Sequence, residues 1–224
     1  MPLLWTPATR RVGICSASAV LALSVVYMMT GALGLKSGYI VATLGDPYRA
    51  VLEAIIVIIA PFAVALLVAV NAYSPDDRKV FSFLALTFMG LSMGVTSSIH
   101  FVELTVARRL GHVAAGQLSS LLEFRWPSVA FGLDLFAWDF LFGLSLLLAA
   151  PVFQGDRLHR AVRVCLSVGG GLCLAGTLGP VLGDLRLQWL AIVGYAGVFP
   201  LASLLLAILF LRSKSSESFH GEGA

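Results

Sequence analysis

The sequence predicts an all-α, polytopic membrane protein, a bundle of six transmembrane helices over residues 1–212 followed by a short polar, disordered tail at 213–224. Three observations carry that expectation. Of the 224 residues 58% are hydrophobic and only 12% charged, and the mean hydropathy of +0.92 exceeds what a soluble domain needs to fill one core. Apolar runs of about 20 residues, the length that crosses a bilayer, recur along the chain. Charged residues gather in the breaks between those runs.

The first run, 12–35, follows Arg10 and Arg11 and so invites comparison with a secretory or twin-arginine signal. Its length argues otherwise, because a signal's apolar region spans about 7 to 15 residues before a small-residue cleavage site. A retained first helix is expected. The second run, 50–72, contains Pro61, which removes a backbone hydrogen bond and is expected to bend or locally open the helix. The third, 80–101, carries Gly90 and Gly94, a GxxxG pair of the kind that lets another helix approach closely.

The fourth run, 128–153, opens after Pro127, whose missing N–H costs little at a helix start, and holds Asp134, Trp138 and Asp139. Before it, the stretch 118–126 is expected to lie along the interface with Trp126 at headgroup depth. The fifth, 161–182, has Gly169, Gly170 and Gly171 in its middle and ends in Gly176, Gly179, Pro180 and Gly183. That ending predicts partial unwinding beside a cavity. The sixth, 187–211, contains Gly194, Gly197 and the helix-bending Pro200.

Lys and Arg decide the orientation, since acids contribute little to the positive-inside rule. Nine of the fifteen (Arg10, Arg11, Arg78, Lys79, Arg157, Arg160, Arg163, Arg212, Lys214) fall on the side of both termini, and six (Lys36, Arg49, Arg108, Arg109, Arg125, Arg186) on the other. Both termini are expected in the cytoplasm, with the protein in a bacterial inner or plasma membrane.

Several chemistries have no support. Cys15, Cys165 and Cys173 lie in apolar runs, with neither a disulfide framework nor zinc spacing. The net charge of +3 is spread without a basic block, so nucleic acid is not an expected partner. Neither a P-loop, a GxGxxG fingerprint nor a GxSxG elbow occurs, and no lysine lies mid-run to hold retinal. No cofactor is implied. His100, Glu103 and Asp134 would supply three metal ligands if the third and fourth helices adjoin, but no motif fixes that geometry, and no metal is expected.

Asp134, Asp139, Trp138, His100 and Glu103 are the candidate ligand-binding residues. A carboxylate near the centre of a membrane helix costs roughly 2.5 to 3.5 kcal/mol on insertion scales, so it needs a partner or a task. Counting about 1.5 Å per residue from Pro127, Asp134 lies roughly 10 Å deep and Asp139 roughly 18 Å, near the midplane. In a regular α-helix their five-residue spacing turns them about 140° apart, whereas Asp134 and Trp138, at i and i+4, share a face. His100 and Glu103, at i and i+3, are expected to approach each other. The plainer expectation for Glu53, Glu103, Asp184 and Arg186 is an interfacial position satisfied by water and headgroups; His100 has the same reading as an interfacial histidine, and Trp138 as packing.

Three functional classes follow. The first is an outward-biased polar cavity that binds or transports a small cationic, protonatable or lipidic ligand. The second is a structural or assembly subunit, joined to copies of itself or to a membrane partner through its Gly-rich helix faces. The third is an intramembrane enzyme on lipid or isoprenoid substrates, with His100 and a carboxylate as acid and base. Membrane lipids are expected to surround the chain in all three.

Overall fold

The computed structural model describes residues 4–36, 47–107, 109, 121 and 124–214. Among them every regular element is helical, and six helices are long and apolar enough to cross a membrane: α1 (Pro7–Gly34), α2 (Tyr48–Tyr73), α3 (Asp76–Ala107), α4 (Val129–Val152), α5 (Arg157–Leu182) and α6 (Leu185–Arg212). Each coincides with one of the six apolar runs. The expected disordered tail after residue 214, Arg108, and most of the expected interfacial stretch 118–126 lie outside the described residues.

Consecutive helices pack side by side, and α6 returns to α1, so the six form a closed ring. One buried side chain from each shows where the core sits: Val20, Leu66, Met89, Phe142, Leu166 and Phe210. Of the six helices α4 is the most deeply buried.

Small residues set the closest approaches. A Cβ on Gly170 would stand 2.7 Å from the backbone oxygen of Gly143, and one on Gly176 only 2.4 Å from Cβ of Ala191, so α5 meets α4 and α6 nearly backbone to backbone. Gly169 and Gly194 also face each other there, as their positions suggest. Gly90 and Gly94 do not pack within the bundle, because a Cβ on either meets nothing within 4 Å. The GxxxG face of α3 points outward.

The irregular backbone goes with Pro200 of α6 and not with Pro61 or Pro180. α2 runs unbroken through Pro61, and α5 is interrupted only at Thr177 before it resumes through Pro180 to a left-handed Gly183 at φ +73°. Wide π turns occur in α3 (Glu103–Ala107), α4 (Phe136–Leu141) and α6 (Val193–Val198), the last of them just before Pro200, whose missing N–H leaves the Ala196 carbonyl without its usual donor. Such turns recur at functional sites.

An even number of antiparallel helices brings the N-terminal and C-terminal ends together. Arg10 donates to the backbone oxygens of Phe210 (2.8 Å) and Leu211 (2.7 Å) in the last turn of α6, where Phe210 O also accepts from Ser213 Oγ (3.0 Å). At this same end Tyr73 bonds His159 Nε2 (2.8 Å), and Arg78 donates to Gln154 Oε1 (2.7 Å). Asp156 caps α5 by accepting the backbone N–H groups of His159 and Leu158, both at 3.0 Å, and it also meets His159 Nδ1 at 2.7 Å. The hydrogen bonds from His159, backbone first, hold the Asp156 carboxyl below its ordinary range.

Candidate functional site

Toward the opposite end of the ring, a line of polar side chains joins α2, α3 and α4. On α3, Thr96, His100 and Glu103 follow one another at i, i+4 and i+7 and so share a face; all three are buried. On α2, Arg49 and Glu53 are spaced i and i+4, and on α4 so are Asp134 and Trp138. Helical periodicity thus aims three pairs or triplets at one another.

Their contacts form a continuous chain. Trp138 Nε1 donates to Thr96 Oγ1 at 2.8 Å, and Thr96 Oγ1 donates to Asp134 Oδ1 at 2.5 Å. His100 Nε2 lies 3.3 Å from that same Asp134 oxygen, and His100 Nδ1 is bonded to Glu53 Oε2. Arg49, which is half-exposed, reaches Glu53 Oε1 at 3.6 Å and is paired with Glu103 Oε2. The chain therefore contains three carboxyl groups against one guanidinium and one imidazole. Thr96 also fixes the Asp134 carboxylate, and among the described residues Asp134 Oδ2 accepts no hydrogen bond.

A cavity of about 220 Å³ opens beside Asp134, enclosed by α1, α2, α3, α4 and α6. His100, Asp134, Gln188 and Ser24 give its wall polar points, while the rings of Tyr27, Phe131, Trp138 and Tyr195 supply much of the rest. Two of the π turns build this wall, since one carries Trp138 and the other Tyr195, and their rings meet at a centroid distance of 5.1 Å. Phe142 backs Trp138 at 5.2 Å and meets Phe199 edge-on at 4.9 Å, which holds the aromatic side rigid.

Of the five candidate residues, Asp134, Trp138 and His100 line the cavity, and Glu103 and Asp139 stand outside its wall. Glu103 joins the polar line through Arg49. It does not pair with His100, because the imidazole turns across the bundle to Glu53 and Asp134. The interfacial expectation fails for Glu53, Glu103 and His100, which are only 5%, 2% and 3% exposed; the partner on a neighbouring helix replaces water. Asp184 and Arg186 form an ion pair at 2.7 Å, with Arg186 exposed. Asp139 is fully buried and accepts from Gln188 Nε2 at 2.9 Å. Because the π turn winds less per residue than an α-helix, Asp134 and Asp139 diverge by less than the regular spacing implies.

Sequence reasoning missed Tyr27, Thr96, Gln188 and Tyr195 as members of the site. Thr96 carried a usable signal, four residues before His100 on the same face. Gln188 and Tyr195 carried none, since a single polar or aromatic residue in an apolar helix does not reveal which neighbour it meets. Among the described residues no three His, Cys, Asp or Glu side chains gather as metal ligands, and both His100 nitrogens are already turned to carboxylates. Comparison with protein-family models, with curated proteins and with solved structures gives no match to this chain.

Proposed function

We propose that the chain is a multi-pass membrane protein, with both termini cytoplasmic, whose cavity binds a small organic cation and passes it across the bilayer. The observation that carries this reading is the Asp134 carboxylate on the cavity wall, with one oxygen uncommitted among the described residues and the rings of Trp138, Tyr27 and Tyr195 around the same space. A carboxylate supplies the counter-charge and ring faces attract the cation, and both effects strengthen where water is scarce. The surplus of acids in the polar line works in the same direction. A lipidic anion would face that surplus and be repelled.

The test is calorimetric titration of the purified protein with tetramethylammonium, choline and tetraethylammonium, and with 3,3-dimethylbutan-1-ol, the uncharged counterpart of choline. Saturable binding of at least one cation, with choline preferred over its neutral counterpart by roughly tenfold or more, is the expected outcome; that ratio corresponds to about 1.4 kcal/mol of charge recognition. Equal binding of the two, or no saturable binding of any cation, would refute the reading.

One observation favours the assembly reading as a second function. Gly90 and Gly94 sit exposed on α3 with no neighbour among the described residues, flanked by outward Leu91 and Phe83. A bilayer-facing surface of this kind suits another helix. Cross-linking in native membranes tests it: a discrete oligomer that Gly94→Ile abolishes supports the contact, and an unchanged monomer excludes it.

A further inference from the structure

Asp139 lies behind the cavity wall, where the polar line through His100 does not reach. It is fully buried, and Gln188 Nε2 donates to its Oδ1 at 2.9 Å. Among the described residues the second oxygens of these same two groups, Asp139 Oδ2 and Gln188 Oε1, are buried and have no hydrogen-bond partner. Both are acceptors, so neither can satisfy the other. Buried polar atoms in this state are rare and call for a missing donor. A single proton on Asp139 Oδ2 meets both needs: a protonated carboxyl donates from its O–H, an amide oxygen accepts, and with Nε2–H···Oδ1 the two groups close a two-bond acid–amide ring.

The surroundings suit a neutral acid. Among the described residues, Cys173 of α5 and Tyr195 of α6 are the titratable groups near Asp139 from neighbouring helices, with Asp134 on its own helix and, beyond it, His100 of α3. Among the described residues no Lys, Arg or His forms an ion pair with Asp139. Gln188, in contrast, belongs both to this pair and to the cavity wall.

We propose that Asp139 and Gln188 form a proton-binding site adjoining the cavity, and that a cation entering the cavity expels the proton. The inference rests on the cation reading of the cavity. A cation draws the Gln188 amide oxygen toward itself, which opens the ring, and its charge favours the carboxylate. The proton leaves Asp139 Oδ2 for water in the cavity, giving a carboxylate and a hydronium ion. By linkage, raising the pH strengthens cation binding as much as the cation promotes proton loss.

Infrared difference spectroscopy on the full-length protein in lipid reads this directly. A carboxylic-acid carbonyl band is expected in the wild type at neutral pH, absent from Asp139→Asn, and diminished when choline is added. Choline affinity should rise by up to about tenfold per pH unit, one proton for one cation, and should be flat in Asp139→Asn. No acid band assignable to Asp139 at any pH from mildly acidic to mildly alkaline overturns the proton site, whether or not choline binds. A band that choline leaves unchanged while binding, or an equal pH dependence in wild type and Asp139→Asn, overturns the coupling. Should Asp139→Asn fail to fold, Gln188→Leu keeps the acid and removes the ring: its band should move to the position of a free acid carbonyl, and an unmoved band counts against the pair. Failure of tetramethylammonium, choline and tetraethylammonium alike to bind, with the acid band present, refutes the cavity reading and with it the coupling, while leaving the proton site standing.

Discussion

His100 stands between two carboxyl groups, with Nδ1 bonded to Glu53 and Nε2 3.3 Å from Asp134 Oδ1. Its removal leaves Glu53 and Asp134 buried without the ring that lies between them. His100→Ala should therefore destabilise the protein by roughly 1 to 3 kcal/mol, the cost of leaving the buried Glu53 carboxyl without its hydrogen-bond partner, read as a fall in thermal unfolding temperature in detergent. His100→Ala combined with Glu53→Gln should recover part of that loss. Thr96 acts more locally: it donates to Asp134 and accepts from Trp138, so Thr96→Val should cost about 1 to 3 kcal/mol and weaken choline binding by releasing both side chains. Affinity unchanged in Thr96→Val would show that the hydroxyl does not position the wall. Asp134 and His100 were legible in the sequence as ionisable residues in apolar runs. Their partners were not, since helical spacing tells which residues share a face but not which face of another helix they meet.

At the scale of the element, the helices differ in how they tolerate added bulk. Gly170 and Gly176 sit where α5 meets its neighbours, so Gly170→Ala should overpack that contact and cost about 1 to 3 kcal/mol. Gly94→Ala, with open space around it, should leave unfolding unchanged in the monomer. The reverse order of the two variants would contradict the packing described. The cap of α5 adds a pH signature: Asp156 is held below its ordinary range, so its contribution is present above the unfolded Asp value near about 3.9 and fades as pH falls through the lower folded value. Asp156→Ala should unfold at lower temperature than wild type at neutral pH, and the gap should close in strong acid. The positions of the six helices were legible because length and hydropathy alone define a spanning segment. The π turn of α6 was signalled by Pro200, which follows it, whereas those of α3 and α4 were not, since no proline lies in or directly after them.

The described helices form a ring closed by α6 against α1, with the start of α1 beside the end of α6 at the end that carries Arg10, Arg78 and Lys79. That arrangement gives the Lys and Arg count a structural frame, and it yields an orientation test: reporters fused after residue 214 and inserted near residue 155 should both read cytoplasmic, and one inserted near residue 184 should read external. Opposite readings at residues 155 and 214 would contradict the six-span topology. Ring closure itself was not legible, because in a chain this apolar the inner and outer faces of a helix have nearly the same composition. The position of the ionisable residues was the only trace of an inside. The central claim is that Asp134 is the counter-charge for a cation in the cavity, and calorimetry of choline against wild type and Asp134→Asn, both shown folded by thermal unfolding, tests it most directly. A loss of roughly 30-fold or more in the variant, about 2 kcal/mol, is the predicted result; equal affinity in the two proteins would contradict it.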